Sequence, residues 1–334
     1  MRIFILGTSE ALWLAARHIH LTGCGEIAGV LTRKSSPLSV RTESDFKSMA
    51  REFSAEFFIR EGLDHKTREE IKKIGADLCI ALCWPGSLME AASLFRLGAV
   101  SAAFGTDALQ SGSDLDIWGI LGGSPELNLS VQYVSPEDGR TRKLPVEAIL
   151  GLNNDATIAD IRRFHETRLP TLFCEAIAMV SSPAFSAKDV PALDTAGRSH
   201  FLPIENRDRR IVWSDSAVNI HAKIRAFTRP LFGAYTYMRD PGGRIIRLHI
   251  WKSRLAMNRQ KEIGRYGQVS HCDPDSGEAL VVTGDGILAL QTVSEDADGP
   301  WFEPGKYWVN NSINLGLSLE DEVFALISRG TMFR

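Results

Sequence analysis

Short apolar runs alternate with helical periodicity through roughly the first half of the chain. Ile3 to Leu6 is a continuous apolar run stopped by Gly7, the pattern of a strand buried on both faces. Thr8-Ser9-Glu10 then offers capping side chains to a helix whose apolar positions include Ala11, Leu12, Leu14, Ala15 and Ile19. The alternation continues with a strand at Ile27 to Leu31, a helix from about Thr42 to Glu52 and a strand at Glu56 to Ile59. A helix at Lys66 to Ile74, a strand at Leu78 to Leu82, a helix at Leu88 to Phe95 and a strand at Gly98 to Ala103 follow. Strands that alternate with helices predict a parallel sheet covered on both faces, with ligands beyond the carboxyl ends of its strands.

A helix around Leu115 to Leu121, an alternating strand at Leu129 to Val134 and a helical stretch from Asp155 to Val180 complete this part. Pro183 to about Asn206 reads as a connector, with Pro191, Gly197 and Pro203 among polar residues. Beyond it the texture changes. After a helix at Ala217 to Phe227 come short β-like runs at Tyr235 to Arg239, Ile245 to Lys252, Gln268 to His271, Ala279 to Thr283 and Ile287 to Val293. They are broken by Asp240-Pro241-Gly242-Gly243 and Gly284-Asp285-Gly286, which predicts a small barrel.

Composition narrows the function more than the fold. Length, at 334 residues, suits two domains, and 38 Lys plus Arg against 41 Asp plus Glu give a net charge of -3, which disfavours nucleic acid as the main partner. The five cysteines are an odd number in mostly apolar surroundings, as for free thiols in a reducing compartment. No apolar run reaches the length of a spanning helix, and the expected location is cytoplasmic. His18 and His20 point different ways on a helix, Cys79 and Cys83 lack companion ligands, and no metal is expected.

The order of several short words identifies a likeness. Arg2-Ile3-Phe4-Ile5-Leu6-Gly7-Thr8-Ser9-Glu10, Gly75-Ala76-Asp77-Leu78, Leu97-Gly98-Ala99-Val100, Asp208 to Ser214 running on to Ile224-Arg225-Ala226-Phe227, and Pro230-Leu231-Phe232-Gly233-Ala234-Tyr235-Thr236 occur at matching spacing. On these the chain resembles the formyltransferase family that includes methionyl-tRNA formyltransferase and the sugar N-formyltransferases. The resemblance implies an α/β, Rossmann-like formyltransferase domain over residues 1–185 and a linker over 186–205. A smaller OB-like β-barrel domain over 206–300 and a carboxy-terminal tail over 301–334 complete it, the tail being a surface on which a homodimer could form. It also implies formyl-tetrahydrofolate as cofactor and a small-molecule amine as substrate.

The family's catalytic Asn, His and Asp serve to steady the oxyanion, accept the amine proton and orient the His. Counted forward from Gly98, the Asn position falls on Ser101 and the His position on Ala103, while the Asp position falls at or beside Gly139, next to Asp138. A methyl group takes no proton, so the resemblance implies a degenerate catalytic set. Substitutes are Ser101, Asp107 and Asp138; Asp114 and Asp116 read as caps of the helix that follows. Cys83-Trp84-Pro85 and Leu88 occupy the region that lines the folate pocket in the family. The leading expectation is formyl or acyl transfer to an amino sugar or an amino-acid-derived amine. The alternative is a non-catalytic relative that binds a ligand or a partner protein. Formylation of methionyl-tRNA is disfavoured, because the basic residues Arg207, Arg209, Arg210, Lys223, Arg225 and Arg229 are offset by acidic stretches.

Overall fold

The computed structural model describes residues 1–34, 41–105, 110–112, 114–193, 199–202, 204–239, 244–256, 264–308 and 313–316. Its first sheet is built on β1 (Arg2–Gly7), β2 (Glu26–Thr32), β3 (Glu56–Ile59), β4 (Leu78–Leu82) and β5 (Ala99–Gly105), all parallel, with β7 (Glu126–Val134) and β8 (Thr141–Gly151) completing the order 3-2-1-4-5-7-8. Strand β7 pairs antiparallel with β5 and with β8, so the sheet is parallel-dominated rather than wholly parallel. Strand β8 is absent from the reading of the sequence. Its inward positions Arg142, Leu144, Val146 and Ala148 alternate with exposed ones, but Pro145 interrupts the run, and Pro is tolerated there because β8 is an edge strand.

Helices α1 (Glu10–Thr22), α2 (Glu43–Glu52), α3 (His65–Ile74), α4 (Leu88–Ala92) and α6 (Ile158–Ser181) accompany this sheet, and α5 (Leu115–Leu121) precedes β7. Ser9 caps α1 by accepting from the Leu12 N–H, and Asp64 caps α3 from the Thr67 N–H. Two apolar layers result, one on each face. Ile3, Ile5, Leu78, Ile80, Val100 and Leu82 pack with residues of α1, α2 and α6. Phe4, Leu6, Cys79, Ala81 and Ala99 pack with Ile71 of α3 and with Ala91 and Ala92 of α4.

The second sheet is antiparallel, in the order β10 (Ala234–Arg239), β11 (Ile245–Leu255), β14 (Ile287–Ser294), β13 (Ala279–Val282), β12 (Val269–Cys272). Its two edges are joined by residues expected to form a tail. Leu315 bridges to Met238 beside one edge, and Asn314 bridges to Gln268 beside the other, so residues 313–316 act as the seam of a barrel. Leu315 is 1% exposed, and its N–H donates to the Gly267 carbonyl at 2.7 Å. Helix α7 (Ala217–Phe227) packs on β11 and on α5, and α8 (Pro304–Tyr307) packs on β14. A short pair, β6 (Gln110–Gly112) and β9 (Ser199–Phe201), is separate.

Packing divides the chain into two units with interleaved sequence. One comprises Met1–Ser111, Glu126–Gly151 and Ile161–His200; the other comprises Gly112–Pro125, Leu152–Asp160 and Phe201–Arg334. In the second unit the segment 152–160, which ends in the first turn of α6, supplies acceptors to α7. The His221 ring, 3% exposed, lies 3.0 Å from the Asn154 carbonyl oxygen, and Arg225 donates to the Ala156 carbonyl at 2.7 Å.

Candidate active site

Strand order reverses between β1 and β4, which opens a crevice beyond their carboxyl ends. Gly7 and Leu82 are register partners at that edge. Gly7 has a φ of 139°, and a Cβ there would overlap the Leu82 carbonyl, so the close approach of these two strand ends requires glycine. The Thr8 hydroxyl donates to the Cys83 carbonyl at 3.4 Å.

Cys83 is exposed and holds a left-handed φ of 54° at the turn out of β4. Trp84 and Leu88 pack against the apolar layer beneath α3 and α4, whereas Pro85 is exposed. The backbone of Gly86 lies against the Trp84 indole, whose Nε1 is buried and has no hydrogen-bond partner among the described residues. Trp84 therefore presents a half-buried, partly covered ring. Met89, missed in the sequence, is 56% exposed on α4 and borders Gly139 in the turn between β7 and β8; a Cβ on Gly139 would stand 2.6 Å from its sulfur. Neither its residue type nor its spacing marks Met89; packing of α4 against the turn does.

Side chains alternate along β5, and Val100, Ala102 and Phe104 belong to the layer of α1 and α6. Ser101 and Ala103 consequently face the α4 side, as Trp84 and Leu88 do. Opposite them in β7 stand Gln132 and Ser130. Asp107 lies outside the described residues.

Asp138 sits in the turn after Val134, and the register sets Val134 opposite Ala99, the first residue of β5. Its carboxylate accepts from both Arg142 amino groups, at 2.6 and 3.0 Å, and from the Arg140 N–H at 3.0 Å. The Arg142 guanidinium, and after it the Arg140 N–H, hold this carboxyl well below the usual carboxylate range. An oxygen so committed is a poor proton acceptor. Asp114 occupies the N-cap position of α5 but makes no side-chain cap; its Oδ2 accepts from the Ile204 N–H at 3.1 Å instead. Asp116 accepts from the Ile117 N–H at 2.9 Å.

On the other face of β5, Phe104 stacks on His165 with centroids 4.0 Å apart. Near α1, Glu10 pairs with Arg41 at 2.9 Å, and the Arg41 guanidinium lies 4.1 Å from the Trp13 ring. Burial raises the Glu166 carboxyl, and the Glu10 charge adds to that. His165 is neutral but stands on the wrong face to replace a base at Ala103. Among the described residues, no group of three His, Cys, Asp or Glu side chains could hold a metal ion, and no helix is long and apolar enough to cross a membrane.

A parallel-dominated sheet with a switch-point crevice, followed by a curled antiparallel sheet, is the fold of the formyltransferases. Sequence carries the likeness in the second part: residues 203–300 match the family model described as formyl transferase, C-terminal domain. WlaRD, a sugar 3N-formyltransferase solved with dTDP and 5-N-formyl-THF, is similar with a TM-score of 0.60 and 13% identity over 90% of this chain and 99% of its own. The N-formyltransferase from Helicobacter canadensis, solved with folinic acid and dTDP-3-aminofucose, gives 0.58 and 14% over 86% and 98%. HypX from Aquifex aeolicus with tetrahydrofolic acid gives 0.56 and 15% over 93% of this chain but 47% of HypX, so the chain spans about half the length of that relative. No curated protein matches in sequence.

Proposed function

We propose that this protein serves small-molecule biosynthesis, transferring a formyl or other acyl group to the amine of an amino sugar or amino acid derivative through a site without the family's usual base. The observation that carries this reading is that Ser101, the register partner of Ala81 near the carboxyl end of β4, and the Trp84–Leu88 wall share the α4 face of the sheet. The folates in the solved relatives motivate a folate-type donor here. The apolar surfaces of Trp84, Leu88 and Met89 suit a flat heterocycle, with the polar turn 135–140 beside Met89. When bound, formyl-tetrahydrofolate would supply the formyl carbon. Ser101 can donate one hydrogen bond to developing charge, and Ala103 takes no proton, so rate rests on positioning: the amine proton would pass to solvent, and the donor nitrogen whose bond to the formyl carbon breaks would take one from solvent.

Calorimetric titration with folinic acid tests the donor site. Saturable binding that falls about tenfold in Met89→Asp is the expected result. Absence of binding to the unaltered protein overturns the folate reading.

A second reading is a non-catalytic relative that binds a ligand or a partner protein. It is favoured by the methyl group at Ala103 together with the engagement of Asp138 by Arg142. Turnover of an amine with a formyl or acyl donor would remove it.

A further inference from the structure

Two arginines of the β-rich unit, Arg209 and Arg247, stand together on aromatic rings rather than on carboxylates among the described residues. One ring, Tyr235, has two guanidinium groups near it: Arg209 at 5.6 Å and Arg247 at 4.6 Å from its centroid. Arg209 lies 5.3 Å from Phe232 as well, and Arg247 donates to the Tyr237 hydroxyl at 3.2 Å. His249 is the register partner of Tyr235, and its Nδ1 lies 2.8 Å from the Phe232 carbonyl oxygen.

Among the described residues neither Arg209 nor Arg247 has a carboxylate within ion-pair distance, whereas Arg229 reaches Asp298, Arg254 reaches Glu278 and Arg207 reaches Glu205. The Arg209 Nε is buried and has no hydrogen-bond partner among the described residues. Burial, and then the nearby Arg247 charge, depress the Arg209 pKa, and both arginines bear on His249 in the same direction. Aromatic faces stabilise a cation without satisfying its N–H donors. Two adjacent cations with spare donors and no carboxylate partner among the described residues are matched by an anion that fills both forks.

We propose that Arg209 and Arg247 hold a diphosphate group of a small molecule over Tyr235, with Tyr237 at its side. Each planar guanidinium fork can engage one phosphate in bidentate fashion, which a single carboxylate would not use fully. A nucleic-acid backbone needs a row of unpaired cations, and here Arg229 and Arg207 are already paired with Asp298 and Glu205.

The test is calorimetry and thermal melting of the intact protein with inorganic pyrophosphate at physiological salt. One-to-one binding and a raised Tm are expected, with affinity reduced about tenfold or more in Arg247→Gln and in Arg209→Gln. Circular dichroism checks that each variant is folded, and two variants guard against one failing. Lack of binding by the unaltered protein, or undiminished affinity in both folded variants, overturns the proposal. Tighter binding of a short oligoribonucleotide, with a salt dependence of many phosphate contacts, overturns the small-molecule assignment.

Discussion

Stacked on Phe104 and 9% exposed, His165 is held neutral, its pKa pushed down to about 4 by burial and then by the Arg162 charge. In the unfolded chain the same ring takes a proton near pH 6.5. Stability that depends on the neutral ring is therefore complete above pH 6.5 and is lost as pH falls toward 4, by about 3 kcal/mol from this group. His221 and His249, also lowered by burial, act in the same direction. Urea unfolding should show the stability of His165→Phe rising relative to the unaltered protein between pH 7 and pH 4.5. Parallel pH curves for the two proteins would sink this account. The strand that holds Ser101 and Ala103 was legible in sequence as a short run of small and apolar residues after Gly98. The Phe104–His165 stack was not, because only tertiary packing joins residues so far apart in the chain.

Strands and helices with continuous apolar runs or clear caps, such as β1, β4, α1 and α7, can be read directly from the chain. Strand β8 could not, since Pro145 and the charged residues Arg142, Lys143 and Glu147 mask a period of two that only the burial pattern exposes. The seam at residues 313–316 was equally hidden, because so short a segment has no periodicity. Its anchor is Leu315, and Leu315→Ala should cost about 3 kcal/mol, as for other fully buried leucines. Denaturant unfolding measures this; a cost below about 1 kcal/mol would mean that backbone pairing alone holds the seam.

At the scale of the molecule the return of 112–125 and 152–160 to the second unit was not legible, since no composition change marks those segments. A fragment starting at residue 206 would strip His221 and Arg225 of the Asn154 and Ala156 carbonyls and remove α5 from its place beside α7. Expressed alone, it should lack a cooperative melt, whereas the intact protein retains one; a sharp transition in the fragment would show that these contacts are dispensable. Interleaving also bears on descent. A single recombination event in the connector would bring in a foreign second half without the two inserted pieces it packs with. Inheritance of this protein is therefore that of one indivisible gene, and changes in either half are filtered by the other.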